Sequence, residues 1–273
     1  MIQRRLPLAL AMSALLLSAL PASAATSVPL ATFRTVHDLR LDSDGAGGAV
    51  TGRLVTEFTG SACAGYTTRS RFRTETTSAE GTRQTTSINM NTVEWPDGRY
   101  RFDTEVYAND RLAEASTGEA TRGPGGIVVS LEKPAEKQVR LDPATLFPVE
   151  QVRRVLDAAT DGDRFLTFDI FDGSEQGETV YQTSTVIGPR SNAADDSGPE
   201  MKVIADAGFA TMSHWPVTIS YFKPGGEMTP LYTMSMVVYE NGLTRDIRFD
   251  YGTFALSGTL TFLEQLEETP CPE

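Results

Sequence analysis

The sequence predicts an all-β protein whose antiparallel sheet winds on itself and is accompanied by a single helix. Apolar and polar residues alternate with period two through most of the chain, which is typical of strands with one buried face. Turn motifs such as Asn241-Gly242 separate the alternating segments and favour hairpins, so neighbouring strands should pair antiparallel. Only residues 148–159 place apolar side chains clearly at helical spacing.

The N-terminal 24 residues have the pattern of an export signal. Arg4 and Arg5 precede an apolar run from Leu6 to Leu20, and Ala22-Ser23-Ala24 matches an A-x-A cleavage site. The run is shorter than the roughly 20 residues that a membrane span requires. We therefore predict cleavage between Ala24 and Ala25, a mature chain of 273 − 24 = 249 residues, and export to a bacterial periplasm.

Charge and composition narrow the classes of partner. The net charge is −12, and loss of the two signal arginines gives −12 − 2 = −14 for the mature chain. Such acidity disfavours nucleic acid or anionic headgroups as the main partner, because like charges repel. The sequence contains no low-complexity linker, so we expect residues 25–273 to form one domain that does not span a membrane.

The first half of the mature chain consists of alternating segments. Strands are predicted near residues 33–41, 50–58 and 66–73, followed by 82–94 and 100–106. Trp95-Pro96-Asp97-Gly98 is the turn between the last two. Further short strands are predicted at 112–118, 127–131 and 137–141.

Three arginines share one face of the third segment, namely Arg69, Arg71 and Arg73. Guanidinium groups in a row could bind an anion or a phosphate. The alternative is a solvated face that is paired with acidic residues on neighbouring strands: Glu75, Glu94, Asp103 and Glu105 are available for this.

The helix follows the first group of strands. Asp142-Pro143 supplies residues typical of a helix start, and Pro148 suits a first turn. Its apolar stripe consists of Val149, Val152, Val155, Leu156 and Ala159. One amphipathic helix in a strand-rich chain is expected to cover an opening or a face of the sheet, either as an ordinary packed helix or as a gate over a cavity.

The last third repeats the strand pattern. Strands are predicted near residues 166–170, 179–187, 214–222, 231–239, 243–251 and 254–262. The stretch from Gly188 to Glu200 is rich in Gly, Pro, Ser, Asn and Asp, and is predicted to be a flexible loop. Residues 264–269 are expected to form a helical or extended tail.

A sheet of a dozen or more strands must close, curl or split, and a barrel of that size encloses more space than side chains fill. A cavity is therefore expected. Bulky side chains are the candidate liners, with ordinary core packing as the alternative for each: Phe33, Phe72, Tyr100, Phe102, Trp215, Tyr221 and Phe222.

The chain contains two cysteines, Cys63 and Cys271. In an oxidising compartment an even count suggests a disulfide. Two buried free thiols or an intermolecular bridge remain as alternatives.

We expect no enzymatic activity, no cofactor and no metal. The two histidines, His37 and His214, are far apart in sequence, and neither G-x-S-x-G nor H-E-x-x-H occurs. His37 lies on an apolar strand face, where a core histidine is the expected role.

Four features together resemble the EipB-like cell-envelope integrity family of alphaproteobacteria. They are the export signal, the Cys63-Ala64-Gly65-Tyr66-Thr67 segment, the strand from Trp215 to Phe222 and the Pro270-Cys271 pair near the C-terminus. The resemblance covers essentially the whole mature chain. It implies a large antiparallel β-spiral or open barrel, a disulfide between Cys63 and Cys271, and a role in envelope homeostasis and resistance to envelope stress. It also implies similarity to lipid-carrying periplasmic proteins, and suggests a periplasmic tetratricopeptide-repeat protein as a partner.

Two functions follow as expectations. The first is a non-enzymatic periplasmic protein that binds a hydrophobic, lipid-like ligand or a partner peptide in its cavity. The second is a scaffold with a packed interior that docks an envelope partner on its outer surface.

Overall fold

The computed structural model describes residues 29–42, 49–78, 80–192, 198–226 and 228–271. The predicted signal and its cleavage site at Ala24 and Ala25 lie outside these ranges. The described residues form two helices, α1 Pro148–Asp161 and α2 Pro199–Asp206, and one 3₁₀ turn at Glu175–Gly177. The strands are β1 Phe33–Leu41, β2 Ala49–Ser61, β3 Gly65–Thr77, β4 Arg83–Glu94, β5 Arg99–Ala108, β6 Arg111–Gly123, β7 Gly126–Lys133, β8 Lys137–Leu141, β9 Phe165–Ile170, β10 Tyr181–Ile187, β11 His214–Phe222, β12 Tyr232–Tyr239, β13 Thr244–Asp250 and β14 Ala255–Gln265.

All of these strands belong to one 14-stranded antiparallel sheet. The order across the sheet is β8 to β1 in sequence, then β14 back to β9. The sheet is therefore two meanders joined where β1 pairs with β14, and β8 and β9 are its edges. Leu146 forms a parallel bridge to Ile170 of β9, so the chain leaving β8 returns to the opposite edge. This is the wound, open antiparallel sheet that the sequence predicted.

Alternation along the strands separates an inner from an outer face. Phe72 of β3 lies opposite Leu54 of β2 and Ile88 of β4, so all three point to the same side. Residues with the same parity continue around the sheet, and pack into an inner cluster that includes Trp215, Val217, Ile219, Tyr221, Met236 and Val238. A second cluster, which contains Tyr100, Phe102, Ile127, Val129, Phe147 and Phe171, packs the β5–β7 region against the segment after β9.

Helix α1 crosses one end of the barrel. Pro148 occupies its first turn, where a missing N–H costs nothing, and Gly162 ends it with φ 90°, a conformation that glycine adopts without strain. Its N-terminus lies beside Glu94, the last residue of β4, and Val152 lies near Gly242 in the turn after β12. The predicted cover over an opening is therefore present.

Helix α2 corrects one sequence expectation. The predicted loop from Gly188 to Glu200 runs into a helix that begins at Pro199, and residues 193–197 lie outside the described ranges. The Glu200 carboxylate is buried and accepts a hydrogen bond from the Leu260 backbone N–H of β14. Sequence composition alone missed this helix because its apolar stripe is only two turns long.

The structure joins Cys63 to Cys271 in a disulfide with a Cα–Cα distance of 5.4 Å. Cys63 lies in the turn between β2 and β3, and Cys271 ends the tail that follows β14. The tail is extended, and Thr269 N–H donates to the Gly60 carbonyl at 3.3 Å. The bridge therefore fastens the C-terminus at the same end of the barrel as α1.

Candidate functional site

An apolar chamber of about 220 Å³ lies between α1 and the inner face of the sheet. Strands β11 and β12 supply alternate residues to its wall, because successive strand residues point to opposite faces, and these residues are mainly Val, Ile and Met. The helix supplies the opposite wall and the β12–β13 turn closes one side. The lining residues are Pro148, Gln151, Val152, Val155, Val217, Ile219, Tyr221, Met234, Met236, Val238, Gly242 and Thr244.

Few polar groups reach this chamber. Gln151 is 6% exposed, and its Nε2 atom is itself buried. The Tyr221 hydroxyl lies nearby: burial raises its pKa and a hydrogen bond from the Gln151 side chain opposes that rise, so the phenol is neutral. The chamber is therefore an apolar volume, and the Gln151 and Tyr221 side chains form a polar pair at its wall.

A second cavity of about 440 Å³ opens at the other end of the barrel. Its wall combines apolar residues with threonines, and its rim includes Tyr251 and Phe254 from the β13–β14 turn. The other lining residues are Leu41, Val50, Phe72, Thr74, Thr76, Thr86, Ile88, Thr253 and Leu256. We call this cavity the mouth.

A row of aromatic rings lies between the chamber and the mouth. Tyr221, which lines the chamber, stacks on Tyr232 at a centroid distance of 4.5 Å. Tyr232 lies 5.9 Å from Tyr251, which lines the mouth and stacks on Phe254 at 4.8 Å. A chain of ring contacts thus connects Tyr221 in the chamber wall to Tyr251 in the wall of the mouth.

A cleft of about 450 Å³ lies on the outside of the barrel beside the start of α1. The Glu94 carboxylate lines it and accepts hydrogen bonds from the Val149 and Glu150 backbone N–H groups, each at 2.9 Å. Burial raises the pKa of Glu94 to about 7, although these two donors act in the opposite direction. A neighbouring hollow contains Cys63 and Pro270, and shares Trp95 with the cleft.

The predicted cavity liners divide into three groups. Phe72 lines the mouth and Tyr221 lines the chamber. Tyr100 and Phe102 are fully buried and stack with centroids 6.0 Å apart. They are packed core residues.

Phe33 and Trp215 also belong to packed clusters, at 7% and 2% exposure. Phe222 follows the inward-facing Tyr221 in β11 and pairs with Gln182, so it lies on the outer face. Consecutive strand residues point to opposite faces, which corrects the expectation that both lined one cavity.

The arginines of β3 are engaged with neighbouring strands. Arg69 contacts Glu57 at 2.9 Å and Arg73 contacts Asp110 at 3.1 Å. Arg71 donates to Asn89 at 3.1 Å. This arrangement is the paired, solvated face, although its acidic members differ from those that the sequence suggested.

Neither histidine belongs to a grouping of metal ligands among the described residues. His37 is 1% exposed on the inner face, and burial lowers its pKa to about 4, so it is neutral at pH 7. His214 Nδ1 lies 3.1 Å from the Met212 carbonyl. Within the described ranges no group of three or more His, Cys, Asp or Glu residues is arranged to hold a metal ion.

The chamber is formed partly by residues that the sequence pattern does not single out. Met234 and Met236 carry its strand wall, and Gln151 carries its polar group. The signal for the methionines was present, since they alternate with Ser235 in β12. Gln151 gave no such signal, because a polar residue beside a helical apolar stripe is usually solvated.

The wound sheet, the helix across one end and the apolar interior define an open, β-barrel-like protein. No helix in the described part of the chain has the length and apolar character to cross a membrane. The chain belongs to the EipB-like family, whose model matches residues 24–267.

Two comparisons support this membership. The cell envelope integrity protein EipB of Brucella abortus (strain 2308) is 37% identical over 249 residues, covering 89% of this chain and 87% of that protein. The crystal structure of a β-barrel-like protein of unknown function from Brucella abortus superimposes with a TM-score of 0.81 at 34% identity, covering 87% of this chain and 99% of that one.

Proposed function

We propose that this is a non-enzymatic periplasmic protein that maintains envelope integrity by binding a hydrophobic ligand in the chamber under α1. The name of its Brucella relative, cell envelope integrity protein, supports the general role. The Cys63–Cys271 disulfide supports an oxidising compartment such as the periplasm.

The chamber is the observation that carries the ligand proposal. Apolar cavities of about 150 Å³ in protein cores bind benzene-sized molecules. At about 220 Å³ the chamber exceeds that size, and its wall is mainly Val, Ile and Met. Methionine side chains adapt to differently shaped ligands, so Met234 and Met236 suit a site for a flexible chain.

The mouth provides the route of entry. It opens to solvent at the end opposite α1, and the contacts from Tyr251 through Tyr232 to Tyr221 lead from its wall to the chamber wall. We propose that movement of these rings admits a ligand from the mouth to the chamber. A longer ligand would then occupy both cavities.

The absence of catalysis is part of the proposal. His37 is buried and neutral, and the His214 ring packs on Tyr239 at a centroid distance of 4.8 Å. Neither environment is that of a histidine positioned to activate a nucleophile.

Native mass spectrometry of protein purified from a periplasmic extract tests the proposal, alongside a lipid extract of the same denatured sample. We expect a bound apolar species at near-stoichiometric level. A mass without ligand, together with no extractable lipid, would contradict binding.

Two variants locate the ligand. Val217→Phe places a ring in the chamber from β11 and should remove most of the bound species. Val186→Phe is the matched control, because Val186 is 43% exposed and lies on the outer face of the neighbouring strand. Equal ligand loss in both variants would place the binding site elsewhere.

A second candidate function is docking of an envelope partner, and the outer cleft beside α1 favours it. The cleft and its neighbouring hollow share a turn that contains the half-buried Trp95 and the exposed Pro96. A periplasmic tetratricopeptide-repeat protein remains the predicted partner. Crosslinking from Asp97 in living cells tests this alternative, and recovery of the same products from a distant surface position would argue against it.

A further inference from the structure

The mouth has two chemically different walls. On one side Thr74 of β3 lies directly opposite Thr86 of β4, and Thr76 follows two residues along on the same face of β3. On the other side Tyr251 stacks on Phe254 at a centroid distance of 4.8 Å. Hydroxyl groups are therefore concentrated on one wall of the mouth, and aromatic rings on the other.

The curvature of the sheet brings these two walls together. Phe72 of β3 contacts Phe249 of β13 edge-on at a centroid distance of 6.0 Å, although several strands separate β3 from β13 in the sheet. A ligand in the mouth therefore contacts both walls at once.

The threonine hydroxyls of this wall are available to a ligand. Thr76 and Thr86 are exposed, whereas Thr74 is 9% exposed and lies deeper. None of the three hydroxyls has a hydrogen-bond partner among the described residues. Each can donate one hydrogen bond and accept others.

The mouth disfavours a charged ligand. No Asp, Glu, Lys or Arg is among its described lining residues. Asp42 and Asp250, beside the rim, both contact Arg248 at 2.7 Å. Burial raises the pKa of Tyr251, so its phenol is neutral at pH 7. A charged group in the mouth would lose hydration without gaining a countercharge.

We propose that the mouth binds an uncharged sugar ring, and that this ring is the head group of the chain ligand whose apolar part enters the chamber. This inference rests on the proposed ligand-binding function. A pyranose ring has apolar C–H faces, which pack on aromatic rings, and hydroxyls around its edge, which exchange hydrogen bonds with threonine hydroxyls. A plain hydrocarbon would use only the aromatic wall.

The size of the mouth agrees with this ligand. An apolar cavity of about 150 Å³ holds benzene, and a hexose has twice as many non-hydrogen atoms, so it requires about 300 Å³. The mouth, at about 440 Å³, accommodates one such ring with space for the bond to its chain.

Two probes with the same chain isolate the contribution of the sugar. Octyl β-glucoside and triethylene glycol monooctyl ether both have an octyl chain and an uncharged head, but only the first has a hydroxylated ring. Calorimetric titration of each into the full mature protein, below its micelle concentration, gives the ratio of their dissociation constants. We expect the wild-type protein to prefer the glucoside.

Thr86→Val removes one hydroxyl and keeps a β-branched side chain that suits a strand. We expect this variant to lose about five-fold in its preference for the glucoside, the value of one neutral hydrogen bond. Thr85→Val is the matched control, because Thr85 is the preceding residue of β4 and lies on the outer face. It should leave the ratio unchanged.

The outcomes separate this inference from the proposed function. If both probes bind and Thr86→Val leaves their ratio unchanged, the sugar site is refuted while ligand binding stands. If neither probe binds the wild-type protein, both proposals fail. If methyl β-glucoside, which lacks the chain, binds as tightly as octyl β-glucoside, the link between the sugar and a chain ligand is overturned. If Thr86→Val melts far below wild type, Thr76→Val supplies the same test, and an unchanged ratio in that variant refutes the sugar site equally.

Discussion

Removal of the disulfide offers a quantitative test of how this barrel is stabilised. The double variant Cys63→Ser/Cys271→Ser avoids a lone reactive thiol. The bond spans 208 residues, and the chain-entropy model assigns about 5 kcal/mol to a closed loop of that length. For a domain of this size the expected fall in Tm is about 10–20 °C.

A purely local role for the bond predicts a much smaller effect. Beyond β14 the tail is held by backbone hydrogen bonds from Leu266 N–H to Thr32 and from Thr269 N–H to Gly60, at 3.0 and 3.3 Å. If the bond only anchored these contacts, its loss would remove about 1 kcal/mol for each. The losses of unfolding free energy that the two mechanisms predict therefore differ by a factor of two or more.

Urea unfolding with and without reductant distinguishes them. We expect the double variant to lose about 5 kcal/mol and to show a larger dependence on urea, since its unfolded chain is less compact. Reduced wild-type protein should match the variant, and reductant should not affect the variant. A loss below about 2 kcal/mol, with an unchanged urea dependence, would refute the unfolded-chain explanation.

Two further predictions concern single positions. The pKa of Glu94 is raised from 4.5 to about 7, so its protonated form stabilises the fold below pH 4.5, and this contribution, at most about 3 kcal/mol, is lost as the pH rises through 7. Glu94→Gln, compared with wild type by urea unfolding from pH 5 to 8, should lose this pH dependence, and parallel profiles would show that Glu94 does not titrate there. Gly173→Ala should destabilise by about 2–5 kcal/mol, because φ is 75° and the added Cβ would lie 2.3 Å from the buried Phe102 ring. Gly125→Ala, which meets open space, should be neutral, and equal effects in thermal melts would contradict the clash.

Much of the fold could be predicted from alternation alone. Alternation predicts His37 on the apolar face of its strand, and the residue is 1% exposed on the inner face. Pro148 marked the start of α1, because proline fixes the backbone angle that a first turn needs. Strand pairing followed from hairpin turns, which leave neighbours in sequence little choice of partner.

The sites were harder to predict. Alternation along a strand shows on which face a side chain lies, but not whether packed side chains or a cavity face it. Tyr100 and Tyr221 have the same strand pattern, yet Tyr100 stacks on Phe147 at 4.8 Å whereas Tyr221 borders the chamber. The difference arises from how far the sheet curves, which depends on contacts between distant strands. Glu200 illustrates the same limit: its acceptor role depends on Leu260, which is 60 residues away.

The strand order also determines when the fold can be completed during synthesis, which starts at the N-terminus. Each meander joins strands that are neighbours in sequence. Phe33 of β1, however, pairs with Gln265 at the end of β14, so this pairing can form only after the last strand has been made. Until then β1 presents a bare edge to other chains, which is a hazard for aggregation. A chain that stops before β14 would leave two separate sheets with four edges, so the final strand converts two local structures into one molecule.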